Sequence, residues 1–333
     1  MKLVCPAGSL PSLKAAVDNG ADAVYLGFRD STNARNFPGL NFDLEEMQQA
    51  LEYAHRKNCL VLLALNTYPQ PERWQQWVTA VDKAADIGID AVIMADLGLL
   101  AYASKTYPNL RLHLSVQGSC TNRHAIDFYY EKFGISQVVL PRVLSLPQIR
   151  RVVQHSPVNV EVFGFGSLCI MVEGRCALSS YITSESPNTV GACSPAKYVR
   201  WEETAEGGRR TLLNNILIDS YAKGETAGYP TLCKGRFTLD NEQPYYAMEE
   251  PTSLNTLDIL PELMRMGVAA IKIEGRQRSP AYAAQVTRVM RSAIDQCARD
   301  PDNFKVDAEW MTTLNKMSEG QTHTLGAYHR AWQ

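Results

Sequence analysis

The stretch VAAIKIEGR, residues 268–276, decides how the chain is read. Strand side chains alternate between two faces. Ile271 and Ile273 therefore share one face, while Lys272, Glu274 and Arg276 share the other. The helical pattern PAYAAQVTRVMRSAIDQCARD follows directly. A strand that leads at once into an amphipathic helix is the repeating unit of a parallel sheet covered by helices. Seven upstream runs read as strands too: KLVC (2–5), AVYLGF (23–28), LVLLALN (60–66), AVIMAD (91–96), LRLHLSVQ (110–117), QVVLP (137–141) and VNVEVFGFG (158–166). Nearly all are separated by helical patterns. Gly20, Gly88, Gly134 and Gly267 sit where helices should stop, and Asp43 where one should start. Eight strands in this alternation predict a (β/α)8 TIM-like barrel, with a doubly wound open sheet as the alternative.

The rest of the composition agrees. A chain of 333 residues is long for one domain but fits a barrel with an insertion. It is 45% hydrophobic and 20% charged, enough for a large core. The formal net charge of −2 provides no global basic field, so no nucleic-acid partner is expected. The N-terminus lacks a long apolar region, and no run reaches the roughly 18 apolar residues of a membrane span. DAVIMADLGLLAYA comes nearest, and two Asp interrupt it. The reading is a cytoplasmic protein with no transmembrane segment. In that reducing setting eight cysteines are not a disulfide framework.

The alternation breaks once. Between the seventh strand and a helix at 254–266 lies an insertion, 167–252, rich in Gly, Pro, Tyr and Ser. On barrel logic it emerges at the C-terminal face, where active sites sit. The barrel itself is assigned to 1–300, and the polar residues 301–333 to a tail packed on its outside. The insertion also holds half the cysteines: Cys169, Cys176, Cys193 and Cys233, with Cys5, Cys59, Cys120 and Cys297 elsewhere. Six, sixteen and thirty-nine residues separate the four, and no CxxC pair occurs. Zinc ribbons use close pairs, so the spacing favours a [4Fe–4S] cluster over zinc. Four buried structural thiols are the alternative. Nothing in the sequence brings His113 or His124 beside Cys169 or Cys176 to make a nucleophile.

The run EVFGFGSLCIMVEGRC resembles the signature of the collagenase-like peptidase family. Glu161, Phe163, Gly166, Ser167, Leu168, Cys169, Gly174 and Cys176 match it, and Glu173–Gly174 stands where some members carry Ser–Gly. HLSVQGSCTN and IKIEGR resemble further blocks, so the likeness runs from CPAG to IKIEGR. A peptidase role finds no support in HExxH, GxSxG or a recognisable triad. Within the family the chain is similar to members of O2-independent ubiquinone biosynthesis. It stops soon after the barrel, without the extra domain of the RNA-hydroxylating relatives, and its four cysteines match the cluster set. The resemblance implies a [4Fe–4S] cluster on Cys169, Cys176, Cys193 and Cys233. It implies a heterodimer with a second family member, and hydroxylation of the ubiquinone precursor ring with prephenate as oxygen donor. A lipid-carrier protein is a further partner it allows. An RNA base hydroxylase, a non-catalytic cluster-bearing scaffold and a zinc-stapled binding module are the competing readings.

On the strands, His113, Ser115 and Gln117 share one face, as do Glu161, Phe163 and Phe165. Apolar faces must go under the helices, so the polar faces point into the barrel. Burying them unpaired is costly. Either they pair internally, as Glu161 with Lys272, or they line a polar pocket, and the set as a whole suits a pocket. Guanidinium forks suit a donor that carries carboxylates. The substrate-binding candidates are Arg35, Arg142 and Arg276, with Lys272 and His113 beneath. Gln117 and Asn66 are placed to orient polar groups, and Glu274 to act as acid or base if burial raises its pKa. Tyr181, Tyr198, Trp201, Tyr221, Tyr229, Phe237, Tyr245 and Tyr246 form either an apolar groove or, for most of them, a local core.

Overall fold

The computed structural model describes residues 1–239, 243–320 and 322–330. Eight parallel strands close on themselves: β1 (Lys2–Pro6), β2 (Ala23–Leu26), β3 (Leu60–Leu65), β4 (Ala91–Met94), β5 (Leu112–Leu114), β6 (Gln137–Val139), β7 (Asn159–Ser167) and β8 (Ala270–Ile273). Closure comes from the 268–276 stretch. Ile271 pairs with Leu3 on one side and with Val162 on the other. The fold is thus a (β/α)8 barrel.

Helices α1 (Leu10–Asp18), α2 (Leu44–His55), α3 (Trp74–Asp86), α4 (Leu97–Thr106), α5 (Arg123–Phe133) and α6 (Leu146–His155) follow the first six strands. Their ends obey local chemistry. Asp43 and Glu46 form a reciprocal capping box at the start of α2, which satisfies two backbone donors that would otherwise be orphaned. Gly134 ends α5 in the left-handed conformation. The strands are buried on both faces, and β3, LVLLAL, is apolar throughout. The main core lies between strands and helices. A smaller core fills the barrel from one side: Val4, Ala23, Tyr25, Leu62, Ala91, Ile93 and Ala270.

After β7 the chain leaves the barrel. A short helix α7 (Leu178–Thr183) precedes a three-stranded antiparallel sheet of Val199–Glu203, Arg209–Leu213 and Ile216–Tyr221. The sequence reading had taken this part as irregular. LLNNIL carried the signal, because Asn214 and Asn215 both have positive φ (48° and 66°) and make a two-residue hairpin turn. The chain returns through Ser253–Asn255, which pairs antiparallel with residues 165–167 at the end of β7. Helix α8 (Leu260–Met266) then leads into β8, and α9 (Pro280–Arg299) and α10 (Ala308–Met317) follow. Among the described residues no helix is long and apolar enough to cross a membrane.

Candidate functional site

Two polar layers occupy the barrel, and the sequence candidates divide between them. The lower layer comes from β5 to β8. Lys272 Nζ lies 2.8 Å from Glu161 Oε1 and 4.0 Å from the Tyr25 ring centre. Gln137 Nε2 donates to the other Glu161 oxygen. The internal pair Glu161–Lys272 therefore forms, and the ammonium expected beneath the substrate is engaged there. His113 is buried in the same layer with its Nδ1 unpartnered. Burial, then the Lys272 charge, push its pKa down to about 3, so it stays neutral.

The upper layer lies at the C-terminal ends of the strands. Glu274 accepts hydrogen bonds from the Ser167 N–H (3.3 Å) and Gln277 Nε2 (3.2 Å), and Arg35 Nε stands 3.5 Å away. Burial alone would raise its pKa. Arg35 and Arg142 outweigh burial and hold the carboxyl below the usual range. The condition for a general acid at neutral pH is therefore not met, and Glu274 is an ionised partner of arginines.

The three arginines differ in what they are free to do. Arg276 Nη1 donates to Asn33 Oδ1 at 2.9 Å and its Nη2 to the Ala34 carbonyl. Burial lowers its pKa to about 10. Arg142 Nε donates to Glu173 Oε1 at 2.7 Å, its Nη1 to the Ser167 carbonyl, and it lies 4.2 Å over the Phe163 ring. Arg35 is held differently. Its backbone takes φ 69° and its N–H donates to Gly191 O at 2.9 Å. Its side chain is 29% exposed and lies near the Cys193 thiol. Among the described residues its Nη atoms bond no oxygen of the chain, so its fork remains open. Asn66 supports the same loop, because its Oδ1 accepts from the Ala34 N–H at 3.0 Å while its Nδ2 reaches Ser115 Oγ at 3.3 Å. Asn66 and Arg276 thus both brace the loop that presents Arg35.

Gln117 sits in a 3-10 turn, Val116–Gly118, whose carbonyl accepts from the Tyr68 hydroxyl at 2.6 Å. Its side-chain Oε1 is buried and unpartnered, as is Glu173 Oε2. The backbone of the cysteine segment lies directly on this turn. A Cβ at Gly174 (φ 88°) would stand 1.9 Å from the Gln117 carbonyl oxygen, so only glycine fits. The Ser119 hydroxyl donates to the Glu173 carbonyl at 2.7 Å. The blocks HLSVQGS and EGRC are thereby fixed to each other.

All eight cysteines are free. Cys5, Cys59, Cys120 and Cys297 are buried in the core, whereas the four of the insertion are half-buried. Cys193 lies within electrostatic reach of Cys169, Cys176 and Cys233. Burial pushes the Cys169 and Cys233 thiols up to about 12, so they stand protonated. A metal would displace those protons on binding. Among the described residues no three His, Cys, Asp or Glu stand close enough for one metal ion. Four thiolates are a donor set that suits an iron–sulfur cluster or zinc. A cleft of about 840 Å³ lies elsewhere, between α2 and α3, and is lined by residues such as Phe28, Leu44 and Gln76. No site candidate contributes to it.

The sequence reading missed Glu173, although it lies between Cys169 and Cys176. It also missed Lys234 and Glu319, whose carboxylate is 2.7 Å from the Lys234 ammonium. Of the aromatic set, Tyr221 is buried, but Tyr181 is 89% exposed and Trp201, Tyr229 and Tyr245 are exposed as well.

Comparison with known proteins gives the wider setting. The chain is 30% identical over 323 residues to tRNA hydroxylation protein P1 of Bacillus subtilis, covering 97% of this chain and 70% of that protein. It is 32% identical over 340 residues to tRNA hydroxylation protein P of Haemophilus influenzae, covering 95% and 72%. It is 26% identical over 298 residues to the 23S rRNA 5-hydroxycytidine C2501 synthase of Escherichia coli, covering 89% of this chain and 39% of that protein. The profile of peptidase family U32 matches residues 8–331, which takes in the barrel from α1 onward, the cysteine insertion and the segment after it. The chain belongs to peptidase family U32.

Proposed function

We propose that this chain is the UbiU subunit of O2-independent ubiquinone biosynthesis. In this reading it pairs with UbiV as a heterodimer and serves hydroxylation of the ubiquinone precursor ring, with prephenate as oxygen donor. The observation that carries the reading is that the open fork of Arg35 stands near Cys193 and Cys169 of the four-cysteine insertion. A [4Fe–4S] cluster held by Cys169, Cys176, Cys193 and Cys233 would supply one-electron redox capacity. The chain's own groups bind and orient. Arg35, braced by Glu274, takes a carboxylate of the donor. Gln117 Oε1 and Glu173 Oε2 are open acceptors for hydroxyl groups on the reactants. Lys272, His113, Asn66, Arg142 and Arg276 hold these groups in place from below and behind.

The names of the relatives favour a second reading, in which the hydroxylated ring is an RNA base. One experiment separates the two. A strain lacking this chain is grown without O2 and complemented, and its quinones and nucleosides are analysed by mass spectrometry. Recovery of hydroxylated quinone supports the proposal; recovery of a hydroxynucleoside instead moves the function to RNA. In the same assay Arg35→Ala should cut product about 10- to 100-fold, the loss expected for one charged hydrogen-bonding group.

A further inference from the structure

The segment after residue 300 reaches the cysteine insertion. Beyond α10, His323–Thr324 runs parallel to Ser253–Leu254, which in turn pairs with the end of β7. The Tyr328 hydroxyl donates to the Phe163 carbonyl at 2.7 Å. Gly326 lies so close to Leu168 that a Cβ there would stand 2.8 Å from its Cδ1. These contacts land on β7 or on the residues that run directly into Cys169.

The tightest contact is polar. Lys234 Nζ donates to Glu319 Oε2 at 2.7 Å and to Ser167 Oγ at 3.0 Å, while Ser167 Oγ donates to Glu319 Oε2 at 3.0 Å. The Glu319 N–H donates to Ser253 Oγ at 2.8 Å. The Lys234 side chain is 5% exposed. An ammonium so buried needs its counter-charge. Ser167 is two residues before Cys169, and Lys234 directly follows Cys233. Closing this triangle therefore fixes two sulfur-bearing segments against each other, and it closes only when the C-terminal segment is in place. Ser–Lys pairs also serve as hydrolytic dyads. Here the lysine is in an ion pair and donates to the serine, so it does not take the serine's proton.

We propose that Ser167, Lys234 and Glu319 form a latch that sets the spacing of Cys169 and Cys233, making the C-terminal segment part of the cluster cradle. This rests on the cluster reading above, and all three act as positioning residues. Binding linkage makes the effect reciprocal: a bound cluster orders the segment as much as the segment holds the cluster.

The test uses the full chain purified without O2. Wild type, Glu319→Gln, Ser167→Ala and Arg150→Ala are compared for iron content and for the rate at which a chelator bleaches the visible absorbance. Arg150 pairs with Glu262 at 2.9 Å between the outer helices α6 and α8 and serves as control. Glu319→Gln should lose its cluster about 10- to 100-fold faster than wild type, the usual cost of removing a group that orients a ligand. Ser167→Ala should lie between, and Arg150→Ala should match wild type. Hydrogen exchange at Thr322–Tyr328 should quicken when iron is removed from wild type, and should already be fast in iron-loaded Glu319→Gln. If Glu319→Gln does not fold, Ser167→Ala decides, since it leaves no buried charge unpaired. Wild-type rates in Ser167→Ala and Glu319→Gln, or exchange that ignores iron, overturn the latch. A wild-type protein that binds no iron overturns the cluster reading instead.

Discussion

The two polar layers of the barrel look alike in sequence and behave differently in the fold. In the lower layer Glu161, Lys272 and Gln137 satisfy one another. In the upper layer Arg35 keeps an open fork, and Gln117 and Glu173 each keep an unpartnered oxygen. Both are buried polar sets on inward strand faces, and each would be costly in the absence of partners. The difference is where the partners come from. The lower layer finds them within the chain for its charged groups, with His113 Nδ1 left over, and its ion pair is structural. The upper layer leaves groups over, and on the proposed reading those are the groups that meet the reactants.

The sharpest way to break this contrast is to unbalance the lower layer. Glu161→Leu strands the Lys272 ammonium in the barrel and should cost about 3–5 kcal/mol in chemical denaturation. Adding Lys272→Met should recover most of that loss. An equal loss in the single and double variants would mean the pair is not a unit. Arg35→Ala, by contrast, should cost less, because Arg142 still offsets the Glu274 charge.

A more gradual effect sharpens the same point through pH. His113 has a folded pKa of about 3 against an ordinary 6.5. Between these values the unfolded chain binds a proton that the folded chain does not. Stability should therefore fall as pH drops below 6.5, by about 1.4 kcal/mol per unit, until pH nears 3. His113→Gln should remove that part of the slope. A variant with the wild-type slope would place the imidazole in contact with water.

The barrel was legible because its signals are local and repeated. Each strand carried its own apolar run, and Asp43 and Gly134 marked helix ends within a single turn. The site was legible only as a set of residue types. The sequence named Arg35, Arg142 and Arg276 as equals, because nothing local tells an open fork from one engaged by Ala34 or Glu173. Glu274 was read as an acid or base conditional on burial, and the neighbouring guanidinium groups reverse that sign. Glu319 was out of reach altogether, since its partner Ser167 lies 152 residues away.

The most direct test of the account is the metal content of the chain purified without O2. About four iron atoms and four sulfides per chain are expected, lost together in Cys193→Ala because Cys193 stands among the other three thiols. One zinc per chain, or no metal in a folded protein, would contradict it.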